Sequence, residues 1–259
     1  MQIDFFKYQG TGNDFIIIDN FLNNISLSKN QIALLCHRRF GIGADGLMLV
    51  QRHQNHDFEM VYFNADGNES TMCGNGGRCI AKFVSNLLQK EYLEFIAIDG
   101  FHQAKCNTEV IKLQMQDVQE ITYNEISDAY ILDTGSPHFV KFIDNLDLIN
   151  VFESGRIIRN NEDFKEKGIN VNFVEIIGKN TLKVGTYERG VEDETYSCGT
   201  GVVASVIAFS IANKLKQNKV HCLTKGGNLN VNFNTKNNLF TNIWLEGPVK
   251  FVFKGSFNL

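Results

Sequence analysis

Two cysteines carry the chemistry that this sequence suggests. Cys73 opens the run Cys73-Gly74-Asn75-Gly76 and Cys198 opens Cys198-Gly199-Thr200-Gly201, each leading into an apolar segment. They lie 125 residues apart in a chain of 259. A cysteine at a helix start meets unpaired backbone N–H groups and the positive end of the macrodipole, which favour the thiolate. An ordinary thiol titrates near ~8.5. The glycines that follow let the backbone approach a ligand closely, and the N–H groups of that turn form a cup for an anion such as a carboxylate. Each loop offers one base and one anion cradle.

A pair of such loops suits inversion of a stereocentre. One thiolate removes the α-proton of an amino acid while the opposite thiol returns a proton to the other face, and the reverse reaction exchanges their roles. Two helix ends aimed at the α-carboxylate stabilise the charge that develops. This scheme requires neither a metal nor a pyridoxal cofactor. Zinc fits the residues poorly, because Cys73 and Cys79 have no neighbouring Cys-x-x-Cys or His pair. The glycines also lack the Gly-Lys-Ser/Thr ending of a P-loop.

The segments before the two cysteines echo each other as well. Phe63-Asn64-Ala65-Asp66-Gly67 precedes Cys73 and Tyr187-Glu188-Arg189-Gly190 precedes Cys198: aromatic, polar residue, turn. The first half reads as a hairpin around Gln9-Gly10-Thr11-Gly12-Asn13-Asp14, then a helix capped by Ser28 and running to Arg39. Strands at 47–51 and 58–63 lead to the first Cys loop and a helix over 76–88, with further strands at 93–97 and 110–114. Periodicity fades over 118–128, which places a boundary there. The expected division is 1–118, with the C-terminal strand of about 250–259 returning to it, and 119–249.

The second half repeats the plan, with strands at 171–177 and 182–187 before the second Cys loop and a helix over 202–212. That helix is apolar on nearly every side, so it must be enclosed, and strands would wrap it. Well over ten strands against three or four helices give an α+β class.

Composition narrows the partners. A net charge of −4 and 43% apolar residues describe an ordinary globular chain with no basic stripe, which argues against nucleic acid and for a small-molecule substrate. The longest apolar run falls far short of the ~20 residues that span a bilayer, so no membrane association is expected. The N-terminus resembles no signal peptide, and the six cysteines lack the tight spacing of a disulfide scaffold, so a cytoplasmic setting is expected. Cys36, Cys106 and Cys222, among apolar neighbours, read as packing residues.

Over nearly its whole length the chain resembles the diaminopimelate epimerases. The resemblance rests on Gly10-Thr11-Gly12-Asn13-Asp14-Phe15, Phe63-Asn64-Ala65-Asp66-Gly67, Cys73-Gly74-Asn75-Gly76, Gly135-Ser136-Pro137-His138, Asn170-Val171, Tyr187-Glu188-Arg189-Gly190 and Cys198-Gly199-Thr200-Gly201, in the family's order. It implies two pseudo-symmetric domains, each a curved mixed sheet around a central helix. It implies cofactor-independent interconversion of LL- and meso-diaminopimelate, in lysine and peptidoglycan precursor synthesis, by a homodimer. Cys73 and Cys198 would be the acid/base pair, with His138 and Glu188 biasing their protonation. Asn13, Asn64, Asn170 and Arg189 would hold the distal end of the substrate, Glu188 would also bind substrate, and Gly74-Asn75 and Gly199-Thr200 would take the reacting carboxylate. The planar fork of Arg189 suits a distal carboxylate.

Two departures stand out. Ser136-Pro137-His138 replaces the Asn-Pro-His of many members, which shortens one distal contact or routes it through water. The loop 190–195 is one residue longer than in some members. Three alternatives remain open: a proline racemase-like enzyme, against which Arg189 and the asparagines argue; a redox protein cycling a Cys73–Cys198 disulfide; and a binding module that uses the cradles without a thiol.

Overall fold

The computed structural model describes residues 2–107, 110–213 and 218–258. In chain order the elements are β1 (Gln2–Gly10), β2 (Asn13–Asn20), α1 (Lys29–Cys36), β3 (Gly46–Gln51), β4 (Phe58–Asn64), α2 (Gly74–Leu88), β5 (Tyr92–Ala97), β6 (Gly100–Asn107), β7 (Val110–Met115), β8 (Ile121–Asn124), β9 (Ala129–Asp133), β10 (Pro137–Ile143), α3 (Val151–Arg159), β11 (Asn170–Gly178), β12 (Thr181–Glu188), β13 (Asp193–Thr195), α4 (Gly199–Asn213), β14 (Lys219–Thr224), β15 (Gly227–Lys236), β16 (Leu239–Pro248) and β17 (Lys250–Asn258). The expected α+β class holds. Among the described residues no helix is long and apolar enough to cross a membrane.

The chain divides into two compact units, Met1–Leu113 with Gly247–Leu259, and Gln114–Glu246. In the first, the strands run β17-β1-β2-β3-β4-β5-β6-β7, and their pairings are antiparallel, antiparallel, parallel, antiparallel, parallel, antiparallel, antiparallel. In the second, the order β8-β9-β10-β11-β12-β14-β15-β16 gives the same series. A parallel pair needs a crossover, usually helical. α1 and α3 occupy the first crossover of their units, α2 and α4 the second. The repeat seen in the Cys loops is a repeat of the whole topology.

Within its own unit, α2 packs against β1, β2, β3, β5 and β6, and α4 against β9, β10, β11, β12 and β15, so each sheet wraps its second helix. α4 is buried at Gly199 and continuously from Gly201 to Ser210, as its apolar surface requires. Its buried Ser205 hydroxyl donates to Gly201 O at 2.7 Å, satisfying itself within the helix.

Three elements differ from the sequence expectation. α1 is capped by Ser28, with a reciprocal bond from Gln31, but it ends at Cys36 rather than Arg39. The chain turns back there: Ile42 and Gly43 N–H both donate to Leu35 O and Ala44 N–H to Cys36 O, satisfying the helix end. Gly41 permits the return, since a Cβ there would lie 2.0 Å from Leu34 O. The fading pattern of 118–128 conceals β8, a four-residue edge strand of the second unit with no fully buried residue and too short to show an alternation. Finally, α3 forms where no helix was expected, started by the Asn150 side chain accepting from Glu153 N–H at 3.1 Å.

Candidate active site

In the first unit Cys73 is the N-cap of α2, half-buried, with the β-region backbone of that position (φ −91°, ψ 134°). Gly74 and Asn75 form the first turn and are buried. Asn75 is held from three sides: its Nδ2 donates to Asn13 Oδ1 at 2.5 Å, and its Oδ1 accepts from Thr11 Oγ1 at 3.2 Å and from Arg78 Nη2 at 2.8 Å. The Asn75 amide is thus part of the scaffold that holds the first turn of α2. Asn13, at the start of β2, passes the network on to Asp45 Oδ2 at 3.1 Å. Asn64 ends β4 and is exposed, with its N–H and C=O engaged by the turn to Asn68 and Gly67.

Thr11 sits in the β1–β2 turn at φ 46°, a left-handed backbone that costs a β-branched residue energy. Its hydroxyl explains why it is there, since it also accepts from Arg78 Nη2 at 3.1 Å. Beneath this turn Asp14 pairs with Lys7 and Arg38, and Arg38 also reaches Asp45. Burial pushes the Asp14 carboxyl up, but the bonds from Arg38 and Lys7 outweigh it and leave it below the usual carboxylate range.

The second unit builds the same corner. Cys198 is buried immediately before α4, its Sγ 3.4 Å from Thr200 Oγ1. From the β9–β10 turn Thr134 Oγ1 donates to Thr200 O at 2.9 Å. Thr11 and Thr134 therefore do the same thing: each grips the second residue after its cysteine. Neither threonine's role was legible beforehand, although both stand in a Thr-Gly turn that the sequence shows twice.

The layers under the two helices differ. Strand register equates Phe15, Met48 and Tyr62 of β2, β3 and β4 with His138, Asn172 and Thr186 of β10, β11 and β12. The first set is apolar, and a Cβ on Gly76 would meet Phe15 and Met48 at an ordinary 3.5 Å. The second is polar. Asn172 Nδ2 lies 3.0 Å from His138 Nδ1 and donates to Phe139 O at 3.1 Å, while its Oδ1 accepts from Thr186 Oγ1 at 2.9 Å. A Cβ on Gly201 would come within 2.3 Å of Asn172 Oδ1, so the helix rests on this amide through glycine. His138 is fully buried; burial first and the Arg189 guanidinium second push it down to about 3, so it is neutral.

At the other end of the β10 and β11 starts, Asn170 Nδ2 donates to Ser136 Oγ at 2.8 Å and to Pro137 O at 3.1 Å, and Asn170 Oδ1 accepts from Arg189 N–H at 2.9 Å. Arg189, just beyond β12 and exposed, reaches Ser136 Oγ at 3.4 Å and Lys167 O at 3.2 Å. Ser136 thus ties Arg189 to Asn170. Glu188 is the last residue of β12, half-buried. The structure brings together Asn13, Cys73, Gly74 and Asn75 in one unit, and Ser136, Asn170 and Arg189 in the other. Cys36, Cys79, Cys106 and Cys222 are all buried, and burial raises each thiol, Cys36 and Cys106 to about 11.

Two eight-stranded repeats, each wrapped around a helix that follows a cysteine, define the class: the fold is that of amino-acid epimerases and their relatives. A Bacillus anthracis phenazine biosynthesis protein of the PhzF family matches with a TM-score of 0.74 at 15% identity over 100% of both chains. A hydroxyproline epimerase from Agrobacterium vitis matches with a TM-score of 0.70 at 12% identity, over 100% of this chain and 93% of that one. At these identities the likeness is one of fold.

Sequence goes further. The diaminopimelate epimerase family model matches residues 5–120 and 130–252. Diaminopimelate epimerase of Flavobacterium psychrophilum is 50% identical over 255 residues, covering 96% of this chain and 98% of its own, and that of Chlorobaculum tepidum is 39% identical over 258 residues, covering 96% and 99%. The chain belongs to the diaminopimelate epimerase family.

Proposed function

We propose that this protein interconverts LL- and meso-2,6-diaminopimelate, with Cys73 and Cys198 as the two acid/base residues. The observation that carries the proposal is the doubled corner: a cysteine before a buried helix, gripped by a turn threonine, in each repeat of a chain 50% identical to a diaminopimelate epimerase. In the forward direction one thiolate accepts the α-proton and the other thiol donates to the opposite face. The N–H groups at Gly74-Asn75 and Gly199-Thr200 hold the α-carboxylate, into which charge is delocalised in the transition state. Base, acid and anion stabilisation are complete with these groups, and the reaction calls on no cofactor.

His138 serves as a hydrogen-bond donor. Asn172 Nδ2 is itself a donor to Nδ1, which leaves the ring proton on Nε2, where it can stabilise a thiolate. Glu188 completes the acid/base surroundings. The distal carboxylate meets Arg189, whose guanidinium is oriented by Ser136, and Asn13, Asn64 and Asn170 shape that end. The proposal extends to a cytoplasmic homodimer in lysine and peptidoglycan precursor synthesis, supported by family membership.

Chiral chromatography of LL-diaminopimelate incubated with the purified chain tests the substrate. Formation of the meso isomer, and none of D-proline from L-proline, is expected. Turnover of proline with diaminopimelate untouched would contradict the proposal.

A further inference from the structure

The two units match in strand order, Cys loop and turn threonine, yet differ five residues into the motif. In the second unit that position is Val203, fully buried among apolar neighbours. In the first it is Arg78, also 0% exposed. Its guanidinium folds back on the first turn of α2: Nη1 donates to Gly74 O at 3.1 Å, and Nη2 to Asn75 Oδ1 at 2.8 Å and Thr11 Oγ1 at 3.1 Å. Nε has no partner. Gly10 lies against it, where a Cβ would stand 3.6 Å from Nη2.

Among the described residues no carboxylate pairs with Arg78. α2 packs on β1, β2, β3, β5 and β6. β1 brings Asp4, Lys7 and Tyr8, β2 Asp14 and Asp19, β5 Tyr92 and Glu94, and β6 His102, Lys105 and Cys106, while β3 brings no ionisable group; of the carboxylates, Asp4 and Asp19 are exposed. Asp14 is committed to Lys7 and Arg38, His102 to Asp99, and Glu94 accepts from Gln103. A buried cation without a counter-ion is costly enough that its retention calls for a reason. Burial lowers Arg78 to about 10, with the Cys79 and Cys73 thiols acting the other way, and it stays charged at neutral pH. Cys79 cannot supply the compensating charge, since burial holds its thiol far above the ordinary range. Cys73, half-buried at the helix start, can.

We propose that Arg78 is a positioning residue for Cys73: its fixed buried charge favours the thiolate at the start of the same helix, and its bonds to Gly74 and Asn75 hold the carboxylate cradle in shape. The second half has the apolar Val203 at the equivalent position, so the two thiols are unequal. The proposal rests on the epimerase function for its purpose, but its test does not use turnover.

The test is the pH dependence of iodoacetamide alkylation, followed separately for Cys73 and Cys198 by peptide mass spectrometry on the full chain. In the wild type the Cys73 midpoint is expected below the ordinary ~8.5 and below that of Cys198. Arg78→Met raises the Cys73 midpoint by about one unit, slowing its alkylation at pH 7 roughly tenfold, and leaves Cys198 in place. Arg78→Lys, which keeps the charge, restores most of the acidity. A wild-type Cys73 midpoint no lower than ~8.5, an unmoved midpoint in Arg78→Met, or an equal rise in Arg78→Lys would overturn the proposal. If Arg78→Met does not fold, the wild-type titration and the lysine variant decide. Failure here leaves the epimerase assay unaffected, and the converse also holds.

Discussion

Asn172 Nδ2 stands 3.0 Å from His138 Nδ1, and its second proton goes to Phe139 O. Two donors cannot face each other, so His138 carries its proton on Nε2 and is neutral. Asn172→Asp reverses this arrangement, because a carboxylate accepts from Nδ1–H and favours the imidazolium. Nitrogen NMR of His138 should show the Nε2–H tautomer in the wild type and a ring titrating at markedly higher pH in the variant. The same tautomer and titration in both proteins would refute the role given to Asn172.

The same burial makes stability depend on pH. The folded pKa of about 3 lies below the unfolded value near ~6.5, so between these limits the unfolded chain binds a proton that the folded chain does not. Stability contributed by the neutral ring is therefore complete above the unfolded value and falls as pH drops, by up to ~1.4 kcal/mol per unit. Urea unfolding of His138→Gln between pH 4 and 7 should show a slope shallower by about one proton.

Gly201→Ala places a Cβ 2.3 Å from Asn172 Oδ1, and the neighbour cannot retreat without abandoning His138 or Thr186. A loss of about 1–3 kcal/mol is expected from overpacking, together with loss of activity. Gly178→Ala, whose Cβ meets only Thr181 at 3.4 Å, is the comparison and should stay close to wild type. Thermal melts of the pair separate this contact from the general effect of a methyl group.

Thr11→Val and Thr134→Val remove the two hydroxyls that grip Asn75 and Thr200. Each should cost about 1 kcal/mol, with Thr11→Val the costlier because buried Arg78 also loses an acceptor. Equal melting temperatures for Thr11→Val and wild type would show that the grip adds nothing.

Much of this was visible in the amino-acid order. The doubled Cys-Gly-x-Gly loops, the hairpin before Asn13 and the enclosed apolar α4 follow from glycine placement and periodicity. The missed features have physical reasons. α3 is short and fully buries only Val151 and Gly155, so the clearest mark of its start is Asn150 with Glu153 three residues later. Asn172 lies in a stretch of β11 buried on both faces, where the residues from Asn170 to Val174 show no alternation to set a polar side chain apart. Arg78 follows two glycines in a motif read for its cysteine, and nothing local distinguishes a buried arginine from a solvated one. Thr11 and Thr134 gain meaning only from the tertiary contact.

Solvent deuterium reads the joint action of Cys73 and Cys198 most directly. In D2O, LL-diaminopimelate should give meso product labelled at the inverted carbon from the first turnovers, while the remaining substrate is still unlabelled. Cys73→Ala and Cys198→Ala should each abolish epimer formation. Product free of solvent deuterium, or epimer formed at undiminished rate by both variants, would contradict a two-thiol exchange.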